Sequence, residues 1–180
     1  MNFWGHLGTV CHHKRLVARY CFRAGLYRQG LTHDLSKFSP TEFWPGVRYY
    51  QGNRSPHEAE RRAKGYSLAW MHHKGRNRHH LEYWTDYVDG RLQGVPMPPR
   101  YVVEMFCDRI AASRTYKKDA YTDASPYEYY MHGHDHSMIH PQTEALLLKL
   151  LTLLKEEGED AAFAYIRRHV LAKPAKGETV

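Results

Sequence analysis

Only three cysteines occur in the 180 residues of this chain. Cys11, Cys21 and Cys107 cannot all pair, none stands in a Cys-x-x-Cys arrangement, and each sits in an apolar-periodic segment where a free thiol packs as a small hydrophobe. This pattern speaks against a disulfide framework and points to a reducing, cytoplasmic compartment. Long apolar runs are also missing. No stretch approaches the length that spans a bilayer, and Met1–Val10 lacks the apolar region of a signal peptide, so no membrane association is expected. Period-two alternation is too brief anywhere to require a sheet, and there is no internal repeat or low-complexity block. The expected fold class is therefore all-α.

What is present fits one domain with a real core, at 42% hydrophobic residues. Residues 1–172 read as a single helical domain, with a metal-site core at about 9–116, packing helices at about 125–171, and a frayed tail over 173–180. The formal charge of +7 would draw either nucleic acid or small phosphorylated substrates. The sequence leaves the oligomeric state open. Ser39-Pro40-Thr41-Glu42, Ser55-Pro56-His57-Glu58 and Ser125-Pro126-Tyr127-Glu128 each read as a capping box with Pro at the first helical position. Around them helices are expected near 9–29, 31–37, 39–50, 55–74, 78–92, 98–115, 125–131, 141–157 and 159–171. The last two form a leucine-rich packing hairpin closed by Gly158.

Fourteen histidines are a large excess, and helical geometry sorts those that face inward. His13 shares a face with Leu16, Val17, Tyr20 and Ala24, whereas His12 aligns with Arg15, Arg19 and Arg23. His73 joins Tyr66, Ala69 and Trp70. On the helix expected over 78–92, His80 joins Tyr83, Trp84 and Tyr87 and ranks before His79. Asp108 lies on a largely apolar stripe, where an ionised carboxylate needs a cation or hydrogen bonds. The adjacent pair in Thr32-His33-Asp34-Leu35-Ser36-Lys37-Phe38 is placed beside buried surface by the stripe Leu31, Leu35, Phe38. Imidazole and carboxylate together suit divalent transition metals, so His13, His33, Asp34, His73, His79, His80 and Asp108 are the expected ligands. The further cluster His132, His134, His136 and His140 reads as a solvated loop.

The order His, His-Asp, His, His and Asp resembles the HD-domain superfamily of metal-dependent phosphohydrolases over about residues 9–116. The segment 32–38 looks like that superfamily's His-Asp core, and Phe106-Cys107-Asp108-Arg109-Ile110-Ala111-Ala112 looks like its last, Asp-bearing helix. The segment 69–80 is more similar to an uncharacterised group of small bacterial and phage proteins of HD type. The resemblance implies an HD-like helical bundle holding one or two divalent ions (iron, manganese, zinc, cobalt or nickel) and no haem, with Asp34 bridging where there are two. It implies hydrolysis of a phosphate monoester or diester, possible nucleotides included, by metal-activated water.

Lys37 and Asp34 would then serve catalysis, with Lys37 stabilising developing charge. Arg76, Asn77 and Arg109 would bind the substrate. No Gly-Tyr-Pro motif follows the His pair, so cyclic dinucleotides are not implied. The rival expectations are an HD-type iron-dependent oxygenase and a nucleic-acid-binding module with a structural metal. The latter would track phosphates with Arg15, Arg19, Arg23 and the cluster Arg61, Arg62, Lys64.

Overall fold

The computed structural model describes residues 1–133 and 138–172. The described residues form eight α-helices, a few short helical turns and one small hairpin, and the fold is all-α. Helix α1 (Phe3–Ala24) starts where Asn2 Oδ1 accepts from the Gly5 amide and stops where Gly25 takes the left-handed conformation, φ 85°, returning its N–H to Cys21 and Phe22 carbonyls. Its buried stripe is His6, Val10, His13, Val17, Tyr20, Cys21 and Ala24, a single face at helical spacing. The helix expected over 9–29 thus begins six residues earlier and yields to a separate α2 (Tyr27–Thr32).

His33 and Asp34 form the turn after α2, with Asp34 itself at φ 54°. A 3-10 turn over Leu35–Phe38 follows, so the helix expected at 31–37 is not continuous. Because the turn resets the helical phase, Leu31, Leu35 and Phe38 stay on the surface instead of forming the expected inward stripe.

Helices α3 (Pro40–Arg48), α4 (Pro56–Lys64) and α5 (Leu68–Lys74) come next. The helix expected over 55–74 breaks at Gly65, φ 82°, and α5 restarts with Ser67 Oγ accepting from the Trp70 amide at 3.0 Å. The capping boxes correct in detail. Ser55 caps α4 weakly, through His57 N at 3.4 Å; Ser39 makes no side-chain cap; Ser125 lies inside its helix, accepting from the Thr122 amide and Lys117.

No helix forms over 78–92. A 3-10 turn at Leu81–Tyr83 leads into an antiparallel pair, β1 (Thr85–Val88) and β2 (Arg91–Gly94), with Thr85 opposite Gly94 and Val88 opposite Arg91. Asp89 and Gly90 both have positive φ, which is the backbone that a two-residue hairpin turn demands and that Asp-Gly supplies.

Helix α6 (Pro99–Lys117) is the central element: Val102, Val103, Phe106, Cys107, Ile110 and Ala111 are fully buried. It packs along α1, and α7 (Ser125–His132) and α8 (Pro141–Tyr165) close the other side with Leu147, Leu150, Leu151, Leu154 and Phe163. Gly158, φ 84° and ψ 178°, turns the chain back as expected, bringing Tyr165 beneath Lys149 Nζ at 5.8 Å. Among the described residues no helix is long and apolar enough to cross a membrane. The tail at 173–180 and His134 and His136 of the second histidine cluster lie outside the described residues.

Candidate metal centre

Five segments bring the expected ligands to one buried point. Helix α1 supplies His13, the turn after α2 supplies His33 and Asp34, α5 supplies His73, the loop that follows supplies His79 and His80, and α6 supplies Asp108. Asp34 is central. His73 Nε2 and His79 Nε2 lie 3.4 and 3.5 Å from its Oδ1, and His33 Nε2 lies 3.3 Å from its Oδ2. Asp108 Oδ1 is 2.9 Å from His13 Nε2 and 3.6 Å from His33 Nε2. His80 Nε2 sits 2.9 Å from His73 Nε2. Two sets therefore share Asp34, one with His73, His79 and His80 and one with His13 and His33, the ligand atoms of each lying within 4.8 Å of one another.

The order of His79 and His80 derived from a helical face does not hold, because there is no helix there. His79 is the more deeply buried, at 1% exposure, and both rings reach the centre.

The polar atoms that point inward lack directed partners. His13 Nε2, His33 Nε2, His79 Nε2 and both Asp34 oxygens are buried without a hydrogen bond. Lys37 Nζ approaches Asp34 Oδ2 to 2.6 Å, and His13 Nε2 approaches Asp108 Oδ1 to 2.9 Å; these are charge contacts without a directed hydrogen bond. Five ligating atoms gathered without a hydrogen bond, two of them held only by charge contacts, fit a bound cation.

The charge balance agrees. Asp34, Glu42, Glu104 and Asp108 gather here, and among the described residues Lys37 is the only Lys or Arg within 4 Å of any of them. Burial alone would push the Asp34 and Asp108 carboxyls up. The surrounding charges, His33 and Lys37 at Asp34 and His13 and His33 at Asp108, hold both well below the usual carboxylate range. Burial opposes a charge on His33, yet Asp34, Asp108 and Glu104 together raise it well above the ordinary imidazole value, so a metal arriving there would displace a proton. His13 is lowered by burial and by the Lys37 charge, and His80 by burial and by His79 and His73; both offer a neutral lone pair. Lys37 stays an ammonium, since Asp34 and Asp108 outweigh the burial that would lower it.

Two carboxylates that sequence reasoning missed orient the ligands from behind. Glu104 Oε1 lies 3.0 Å from His33 Nδ1 and 3.3 Å from His79 Nδ1. Glu42 places one oxygen 2.7 Å from His73 Nδ1 and the other 2.6 Å from His72 Nδ1. With Nδ1 donating to these acceptors, His33, His73 and His79 turn the Nε2 lone pair inward. A sequence signal existed for Glu104, which stands four residues before Asp108 on the same helix. Glu42 was disguised as a capping residue.

The expected substrate residues divide. Asn77 donates to Ser36 Oγ and to the His73 carbonyl, both at 2.8 Å, and so latches the ligand loop to the turn that follows Asp34. Arg76, just past the end of α5, is exposed and donates to the His72 carbonyl at 3.4 Å. Arg109 lies over the Tyr130 ring at 5.0 Å beside Asp108, with its Nε buried and without a hydrogen bond. A separate cavity of about 360 Å³ between Pro96–Pro99 and the start of α8, lined by Met97, Val102, Gln142 and Leu146, carries no ligating residue and is not part of the centre.

Fold and site together define an all-α protein with a buried histidine–carboxylate cluster that could hold a metal ion. The chain belongs to the family described as a family of unknown function (DUF5662), whose sequence profile matches residues 2–153. Neither a curated protein nor a solved structure matches it significantly.

Proposed function

We propose that the protein is a metal-dependent phosphohydrolase of HD type that cleaves a small phosphate ester. The observation that carries this reading is the convergence of unsatisfied His13, His33, Asp34 and His79 atoms on one buried point. His13, His33, Asp34 and Asp108 would hold one ion, and Asp34, His73, His79 and His80 a second. A divalent ion there supplies a Lewis acid for a phosphoryl oxygen and a more acidic water for attack on phosphorus.

The chain's own residues account for an anionic substrate. Lys37 presents a permanent positive charge at the edge of the ligand set, with a quarter of its side chain exposed. Arg109, over the Tyr130 ring and within the field of the Asp108 carboxylate, would add a second cation for the phosphate. Glu42 and Glu104 keep the histidine protons on Nδ1, away from the reacting side.

The nucleic-acid reading has less support. Arg23 is paired with Glu159 and Asp160, Arg62 with Glu58 and Lys64 with Glu60, and Arg61 lies against Trp70, so most of the two basic groups are already neutralised or packed.

The test is elemental analysis of untagged protein beside a folded His33→Ala/Asp34→Ala variant, followed by a phosphatase and phosphodiesterase screen. Expected are one or two transition-metal ions per chain, lost in the variant, with turnover of a phosphate ester by the wild type alone. Absence of metal after reconstitution with iron, manganese, zinc and cobalt would sink the reading. Oxygen uptake by the iron form without phosphate release would replace it with the oxygenase.

A further inference from the structure

His33 and Asp34 are neighbours in the chain, yet both side chains point at the same centre, with His33 Nε2 3.3 Å from Asp34 Oδ2. Regular structure forbids this. Successive side chains diverge by about 100° around a helix and alternate across a strand, so an adjacent inward pair needs an irregular backbone. Here that backbone is the left-handed conformation of Asp34, φ 54° and ψ 28°. A residue with a side chain disfavours it and keeps it only where the surroundings hold it there.

Lys14, the residue after His13 on α1, supplies such a hold. Both hydrogen-bond partners of its ammonium are main-chain carbonyls, Leu31 O at 2.8 Å and His33 O at 2.8 Å. The His33 carbonyl belongs to the peptide unit that joins the two ligands, so Lys14 grips the turn between them. The other end of the turn is tied by Asn77, which donates to Ser36 Oγ. The two ties lead to different ligands. Asn77 connects the turn to the segment that bears His73, His79 and His80, and Lys14 connects it to the helix that bears His13.

We infer that Lys14 is a positioning residue of the metal centre: by holding the peptide unit between His33 and Asp34 against α1, it keeps both ligands in register with His13. This assignment rests on the cluster being a metal centre and is independent of the reaction carried out there. Lys14 itself is neither a ligand nor a substrate contact. Its contribution is a ligand set already arranged before the ion arrives.

The test is a cobalt(II) titration of chelator-treated protein, followed by visible absorption, which reports the geometry of the bound ion as well as its affinity. Wild type is compared with Lys14→Met, which keeps the stem and removes the donors, and with Lys14→Arg, which keeps a cation able to donate to two carbonyls. In Lys14→Met the cobalt affinity is expected to fall about 10- to 100-fold with altered bands, and Lys14→Arg is expected to restore both. Melting of the metal-free variants, measured alongside, separates any loss of fold stability from the loss of ligand geometry. Should Lys14→Met fail to fold, Lys14→Gln, neutral but still a donor, is read in its place.

Wild-type bands and affinity in the Lys14 variant, whatever its melting temperature, overturn the assignment and leave the metal centre intact. Wild-type protein that takes up no cobalt overturns the metal-centre reading and the assignment with it.

Discussion

Glu42 illustrates how one residue's role depends on what stands across from it. At the third position of α3 behind Ser39 and Pro40, a glutamate has an obvious use in closing a capping box. Here it is 3% exposed, and its two oxygens instead meet Nδ1 of His72 and of His73. Burial would raise its carboxyl, and the hydrogen bonds from His73 and His72 hold it below its ordinary value. Glu42→Gln removes the charge and keeps the shape, so the orientation of His73 should survive better than its basicity. Metal affinity, measured by competition with a chelator, is expected to fall about 10- to 100-fold, with a matching loss for Glu104→Gln. Unchanged affinity in both variants would reduce these residues to packing. The face of α1 made His13 legible, because helical spacing alone separates it from the exposed His12. Nothing local in Glu42 announces histidines thirty residues away.

At the scale of elements, α1, α6 and α8 are tied together by Glu159, just past the Gly158 turn. Its carboxylate accepts from Tyr20 at 3.1 Å, from Arg114 at 2.8 Å and from Arg23. Burial would raise its pKa, but these donors outweigh it and lower the carboxyl below its ordinary value of 4.5. Since the folded-state value is depressed, the stabilisation is present above about pH 4.5 and is lost as pH falls through the folded value. Glu159→Gln should cost roughly 1–3 kcal/mol at neutral pH, read from denaturant unfolding, and the difference from wild type should shrink in acid. A pH-independent difference would mean that shape, not charge, is what Glu159 provides. Elements were legible where caps and periodicity agree, as in α6 and the Gly158 hairpin. They were illegible over 78–92, where Tyr83, Trp84 and Tyr87 mimic a helical stripe while Asp89-Gly90 commits the chain to a hairpin turn.

For the whole molecule, acid sensitivity should come from imidazoles as well as carboxylates. Burial, aided by the Lys37 charge, lowers His6 to about 4 and His57 to about 3. In the unfolded chain both titrate near 6.5. Between that value and about pH 4 the unfolded state binds more protons, so stability is full above pH 6.5 and falls as pH drops through this window. Melting of the chelator-treated protein should therefore occur at lower temperature at pH 5 than at pH 7.5, by roughly 2–4 °C for each kcal/mol lost, and His6→Phe should flatten the slope. A slope left unchanged by His6→Phe would contradict the burial of that neutral ring, whatever the opposite contribution of His33, whose value is raised.

The all-α class, the inward face of α1, the closing turn at Gly158 and the types of side chain at the centre follow from the sequence, because caps, periodicity and ligand chemistry are local properties. Only the tertiary structure decided which carboxylates stand behind which imidazoles, how His79 and His80 both reach Asp34's surroundings, and that Arg76 stays exposed. Those outcomes depend on where separate elements meet. A chain that turns at Gly65 and again at Asp34 carries its polar groups to partners that no helical period connects.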